Sequence, residues 1–242
     1  MSKTIGLLIC DTVNPEVAQV VGQYWERFNR FFENAETKIN LKKYDIRSGI
    51  WPKSPEECFG YVITGCSQSV NDPAEWKVEL TRFIRECYVG RVKMVGICFG
   101  HQILAKAMGG RIELNPHGWG VGIKKEEVLV KRPWMKPAVK SYNLIASHQE
   151  HVVELPGNAQ LLCTRTHCKI TAFEINNIFL GFQGHPENSS FTSGVSIDKK
   201  RDEIGEEVYQ SGKLSLTIEA EQKLIAKWIE AFFYQKAKKI KE

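Results

Sequence analysis

The chain has 242 residues, 43% of them hydrophobic and 25% charged, a globular balance that excludes a disordered or low-complexity protein. Its formal net charge of +5 is mild, and the basic stretch 124–140 and the terminal KAKKIKE lack interleaved aromatics, so they read as solvated surface and not as a nucleic-acid footprint. The opening MSKTIGLLICD is too short in its apolar run for a secretory signal, no run approaches the about 20 apolar residues of a membrane span, and the seven cysteines lack metal-type spacing, so the expectation is a cytoplasmic or nuclear protein with reduced thiols.

TIGLLIC (Thr4–Cys10) is a continuous apolar run, suited to a strand buried on both faces. The stretch 15–35 then places Val17, Val20, Val21, Tyr24, Phe28, Phe31 and Phe32 at helical spacing, which predicts one amphipathic helix. LKKYDI is a second strand, GIWPKSPEE a turn-rich connection, and Gly60–Gly65 a third strand ending in glycine. Asp72 and Pro73 look like the cap and first residue of a helix over DPAEWKVELTRFIRECY. VKMVGIC is a fourth strand, and HQILAKAMGG a helix closed by Gly109. Strand and helix alternate to this point, which predicts a parallel sheet covered on both faces. The second half turns to short strands in quick succession, some antiparallel: WGVGIKKEEVLV, SYNLIASH, AQLLCTR, KITAFEI and IFLGFQG. A final helix carries Ala220, Leu224, Trp228, Ile229, Phe232 and Phe233 as one stripe, fit to cover the sheet or to pair with a second chain. No repeat or linker divides residues 1–242, which read as a single domain.

GICFG has the Gly-x-nucleophile-x-Gly form of a strand-to-helix elbow, with Cys98 at its apex. The helix N-terminus after it offers unpaired N–H groups and the positive end of a dipole, both favouring thiolate and able to hold an oxyanion. A nucleophilic cysteine needs a base. His101 follows the elbow and should point into the helix–sheet packing, while His117, His148, His151 and His167 are scattered. His185 sits in GFQGHPE just past a strand, where open α/β sheets bind ligands, and Glu187 two residues on can orient its ring. Gly65 ends another strand and supplies a second backbone N–H, so the set suits acyl transfer from an amide. Each motif alone also has a bland reading: a buried core cysteine, or a polar turn after a strand.

Together GICFGHQ and GFQGHPE resemble the signatures of the class I glutamine amidotransferases, and the intervening SHQEHVVELP extends the likeness along nearly the whole chain. The resemblance is to the stand-alone, GMP-synthase-like branch, near the plant γ-glutamyl peptidases. It implies an α/β fold, a flavodoxin-like three-layer sandwich with a mostly parallel central sheet and a small antiparallel region in the second half. It implies that Cys98 forms a γ-glutamyl thioester, that His185 moves the protons and that Glu187 orients His185. It assigns the oxyanion hole to the N–H groups of Gly65 and Phe99, substrate contact to Gln102, and the loop that grips the substrate to Ser147, His148, Gln149 and Glu150. Gln149 and Glu150 depart from the commoner Gly and Asp. Gly184 stands where many members carry Phe, which would widen the pocket beside His185.

No synthase domain or phosphate-binding Gly-x4-Gly-Lys motif is present, and the triad needs no metal or organic cofactor. The leading expectation is hydrolysis of glutamine, a γ-glutamyl peptide or a glutathione conjugate. The alternative is a glutaminase subunit passing ammonia to a separate synthase partner, and a third is a binding module on the same fold. The partner expected is a small γ-glutamyl molecule, with neither nucleic acid nor membrane.

Overall fold

A computed structural model describes residues 3–235, so the KAKKIKE stretch lies outside the described residues. In chain order the elements are β1 (Lys3–Ile9), α1 (Pro15–Val21), α2 (Tyr24–Asn34), β2 (Ile39–Asp45), β3 (Gly60–Ile63), α3 (Glu75–Val89), β4 (Lys93–Ile97) and α4 (Phe99–Ala107). There follow β5 (Arg111–Leu114), β6 (Gly120–Val128), β7 (Ser141–His148), β8 (Glu150–Glu154), β9 (Ala159–Arg165), β10 (Cys168–Ile175) and β11 (Phe179–Phe182). Four helices close the chain: α5 (Ser190–Lys199), α6 (Arg201–Ile204), α7 (Glu206–Ser215) and α8 (Gln222–Tyr234).

One nine-stranded sheet runs β2-β1-β3-β4-β11-β10-β9-β6-β7, and β5 pairs with β8 in a separate ribbon. The first five strands are parallel, in the doubly wound order of flavodoxin-type sheets. The remaining strands continue the same sheet antiparallel. The two-residue period of a strand sorts its side chains to opposite faces. Leu7, Val62, Val95 and Leu180 pack with α2 and α8, while Leu8, Tyr61, Met94 and Phe179 pack with α3 and α4. The stripe of α8 is buried within this chain: Trp228 meets Trp134 and Tyr142 edge-on, at centroid distances of 6.1 and 5.5 Å. Truncating such a buried aromatic costs about 3–5 kcal/mol.

The single helix expected over 15–35 is two. Gly22 takes φ 83°, which breaks the ladder, and Gln23 then opens α2 with a capping box to Glu26. Val20 consequently faces outward. Asp72 does not cap a helix, because α3 starts at Glu75; its carboxylate instead accepts from the Ser69 N–H at 3.2 Å and closes a turn. β3 stops at Ile63, two residues before Gly65. The β5–β8 ribbon and the helices α5 to α7 have no counterpart in the sequence reading. No helix among the described residues is long and apolar enough to cross a membrane.

Candidate active site

β4 carries Cys98 to the carboxyl edge of the sheet, and α4 begins at the next residue. Cys98 has φ 54° and ψ −103°, a conformation that a side-chain-bearing residue holds only when its surroundings impose it. Its N–H donates to the Phe182 carbonyl at 2.8 Å, tying the turn to β11. The flanking glycines are demanded by contact. A Cβ on Gly96 would lie 2.2 Å from the Gly100 carbonyl oxygen, and one on Gly100 would lie 2.4 Å from that of Ile63.

His185 follows the end of β11, and its N–H donates to the Ile145 carbonyl at 2.8 Å. Its Nδ1 lies 2.8 Å from Glu187 Oε1, and Cys98 is near enough to raise the pKa of its ring. All three residues are buried, the Glu187 side chain completely. Burial works against charge on His185, but Glu187 and Cys98 outweigh it and raise the imidazole to about 10. Burial also opposes ionisation of Glu187, yet His185, with Arg27 further off, holds that carboxyl below its ordinary range. The pair is therefore imidazolium and carboxylate at neutral pH. Gly65 completes the arrangement: a Cβ there would sit 3.0 Å from His185 Cε1 and 3.8 Å from Cys98 Cβ. Phe99 is the first residue of α4, where an amide has no acceptor within the helix.

A chain of buried polar groups also ends on the thiol; of its members, Gln183, Arg165 and Glu126 are absent from the sequence reading. Gln183 Nε2 donates to Cys98 Sγ at 3.6 Å, and its Oε1 accepts from Gln102 Nε2 at 3.2 Å. Gln102 Nε2 also donates to the Glu150 carbonyl at 2.8 Å. That same carbonyl accepts from His148 Nδ1 at 2.9 Å. This tautomer follows from the other side of the ring, where Arg165 Nη2 donates to Nε2. Arg165 is in turn paired with Glu126 at 2.7 Å. Burial and the adjacent guanidinium push His148 well below its usual pKa, so it stays neutral, with both ring nitrogens committed to protein atoms. Gln183 stands beside the GHPE motif, but the chain bends at Gln183 and Gly184, so strand alternation does not reveal its role. Glu126 and Arg165 gave only the weak signal of charges within strands.

Cys98, Gln102, Ser147, His148, Gln149 and Glu150 line a cavity of about 320 Å³. His185 lines an adjoining one of about 350 Å³, and Cys66, Ser67, Ser147 and Lys200 border both. A larger cavity, about 750 Å³, lies along α3 and holds neither histidine nor cysteine. Cys66 is the other thiol at the cleft, but burial raises it to about 11 and keeps it protonated. His101 is buried against Phe173, and desolvation lowers it to about 3, so it is a neutral packing residue. His117, His151 and His167 line neither cavity. Gly184 does not widen the pocket: a Cβ there would meet Leu144 Cδ2 at 2.6 Å and the Ile145 carbonyl at 3.0 Å. The missing side chain permits close passage over β7 and leaves the cleft unchanged.

The fold and this site define a class. The model of the family "Glutamine amidotransferase class-I" matches residues 20–201, and the chain belongs to that family. Gamma-glutamyl peptidase 2 of Arabidopsis thaliana is 26% identical over 209 residues, covering 83% of each chain. Gamma-glutamyl peptidase 4 of the same plant is 29% identical over 171 residues, which span 69% of this chain and only 62% of that protein. One subunit of the glutamine-hydrolyzing GMP synthase from Sulfolobus acidocaldarius is 32% identical over 45% of this chain and 57% of its own length. A crystal structure of a glutamine amidotransferase from Thermotoga maritima superposes with a TM-score of 0.74, covering 96% of this chain and 99% of that one at 17% identity, which establishes the shared fold.

Proposed function

We propose that the protein hydrolyses a γ-glutamyl amide bond through a thioester on Cys98. The observation that carries this reading is the buried His185, paired with Glu187 at 2.8 Å and set with Cys98 around Gly65. In this reading Cys98 Sγ attacks the γ-carbonyl carbon, and the oxyanion is met by the N–H groups of Gly65 and Phe99. Oxyanion donors of this kind are worth about 3–4 kcal/mol each in characterised enzymes. His185 protonates the departing amine, then takes a proton from the water that opens the thioester, releasing glutamate and restoring the thiol. Gln102, Ser147, His148 and Gln149, which line the cavity beside Cys98, form the glutamyl site. The family match and the plant peptidase relatives support a hydrolase of this class, which we place in the cytoplasm or nucleus as one domain.

A second reading, a glutaminase subunit feeding ammonia to a separate synthase, is favoured by the likeness to the GMP synthase subunit. A glutamate-release assay across glutamine, glutathione and a glutathione S-conjugate separates the two. A hydrolase acting alone turns over at least one of them freely, whereas a partnered glutaminase is slow and specific for glutamine. Cys98→Ala is expected to abolish release while its melting temperature holds; turnover by that variant would overturn the mechanism.

A further inference from the structure

The cavity of about 350 Å³ beyond His185 has no use if the departing group is ammonia. It is nevertheless a built site. Its lining combines the apolar Val13, Val17 and Val21 and the ring of Tyr24 with the cationic Arg27, Lys199 and Lys200. Arg27 is only 7% exposed, and its one recorded hydrogen bond goes to the neutral Asn188 Oδ1 at 2.8 Å. Its Nε is buried without a partner, and its guanidinium lies 4.3 Å over the Tyr24 ring. Among the described residues no carboxylate reaches it within 4.0 Å. A buried guanidinium served by one amide is electrostatically incomplete.

The one acid in the lining cannot answer it. Asp11 Oδ1 accepts from Arg47 at 2.8 Å and from the Thr12 N–H at 2.9 Å, and its Oδ2 accepts from the Ser67 N–H at 2.8 Å. Lys199 is exposed at the end of α5, Lys200 Nζ rests 4.2 Å over the Trp119 ring, and among the described residues neither lysine forms an ion pair. Glu187, whose carboxyl Arg27 helps to hold ionised, is committed to His185, so among the described residues no acid lining this cavity is free to meet its positive charge, next to the histidine that protonates the departing nitrogen.

We infer that this cavity is the leaving-group subsite and that it takes an amine bearing a carboxylate, with Arg27 as the anchor and Lys199 at the mouth. The inference rests on the hydrolase reading above. The planar fork of arginine matches a carboxylate, and the apolar lining residues take the side chain of the departing residue. The reaction balances as hydrolysis: the γ-carbonyl C–N bond breaks, His185 gives its proton to that nitrogen, and water supplies the oxygen of the new glutamate carboxylate. The leaving group is then a free amino acid or a short peptide.

The test compares kcat/KM for γ-glutamyl-leucine and γ-glutamyl-leucyl-glycine with that for their C-terminal amides and for glutamine. Wild type is expected to prefer the acids over the amides by about ten-fold or more, mostly in KM, the scale of one charge-assisted hydrogen bond. The longer or the shorter acid being better identifies a peptide or an amino acid as the departing group. Arg27→Gln should collapse the acid-to-amide ratio towards one. The ratio is the readout because Arg27 also bears on Glu187, an effect common to both substrates that cancels. Lys199→Gln, at an exposed position, should lower the ratio partway and keeps the test open if Arg27→Gln fails to fold. Acids and amides cleaved equally by wild type, or glutamine cleaved faster than any peptide, would overturn the subsite and leave the hydrolase standing. No cleavage of any γ-glutamyl compound would overturn both.

Discussion

Glu187→Gln is a near-isosteric change that separates the charge of the carboxylate from its geometry. The amide oxygen can still accept from His185 Nδ1, so the ring keeps its place, 2.8 Å from position 187. What disappears is the negative charge that, with Cys98, lifts His185 to about 10 against the opposing effect of burial. A buried charge-assisted hydrogen bond is worth about 1.5–3 kcal/mol, and a neutral one about 1. The variant should therefore lose about 0.5–2 kcal/mol of transition-state stabilisation, a fall of about 2- to 30-fold in kcat/KM. The pH profile gives the second readout. In wild type the imidazolium persists until pH approaches 10, and in the variant its pKa moves down, so the alkaline limb of glutamate release shifts to lower pH. The assay is the kcat/KM of glutamate release from the best γ-glutamyl substrate between pH 6 and 10.5, with melting temperature as a control. An unshifted alkaline limb with an unchanged rate would remove Glu187 from the mechanism.

The same linkage bears on stability. Because the His185 pKa is raised on folding, its pairing stabilises the protein fully below about pH 6.5 and fades as pH climbs through about 10, so thermal unfolding of wild type should fall over that window more than in Glu187→Gln. Gly96→Ala places a methyl 2.2 Å from a carbonyl oxygen in a packed turn, and urea unfolding should show a loss of about 3 kcal/mol or failure to fold; a loss under 1 kcal/mol would mean that the elbow relaxes. Arg165→Met strips Glu126 of its partner in a buried site, at a cost of about 3–5 kcal/mol, and should raise KM by loosening the 147–150 loop. A stable variant with unchanged KM would disconnect the polar chain from the cleft.

The parallel half was readable because β1, β3 and β4 are short buried apolar runs and strand and helix alternate between them. The helix over 15–35 failed for a local reason: the apolar spacing runs straight through Gly22, and only the positive φ that glycine adopts there divides it. Helices α5 to α7 lack a continuous stripe and bury few apolar side chains, chiefly Ile197 and Ile204 against Val121, so periodicity does not reveal them. At the site, two short motifs, GICFGHQ and GFQGHPE, exposed Cys98, His185 and Glu187. The buried links behind them were hidden: Gln183 reaches Cys98 directly from the end of β11, while Glu126 and Arg165 connect to it only through His148, the Glu150 carbonyl and Gln102. Gly184 misled in the opposite way: a missing side chain suggests space, but Leu144 fills it.

The position of β11 has a consequence for how the protein is born. The strand lies between β4 and β10, so the edge of β4 stays unpaired until residues 179–182 have left the ribosome. A nascent chain that has folded its first four parallel strands already displays the cysteine, but neither the carbonyl of Phe182 that pins it nor the histidine that serves it has been made. On the proposed mechanism the sulfur gains its base only when the last strand is in place, so a half-synthesised chain would lack the groups that activate it.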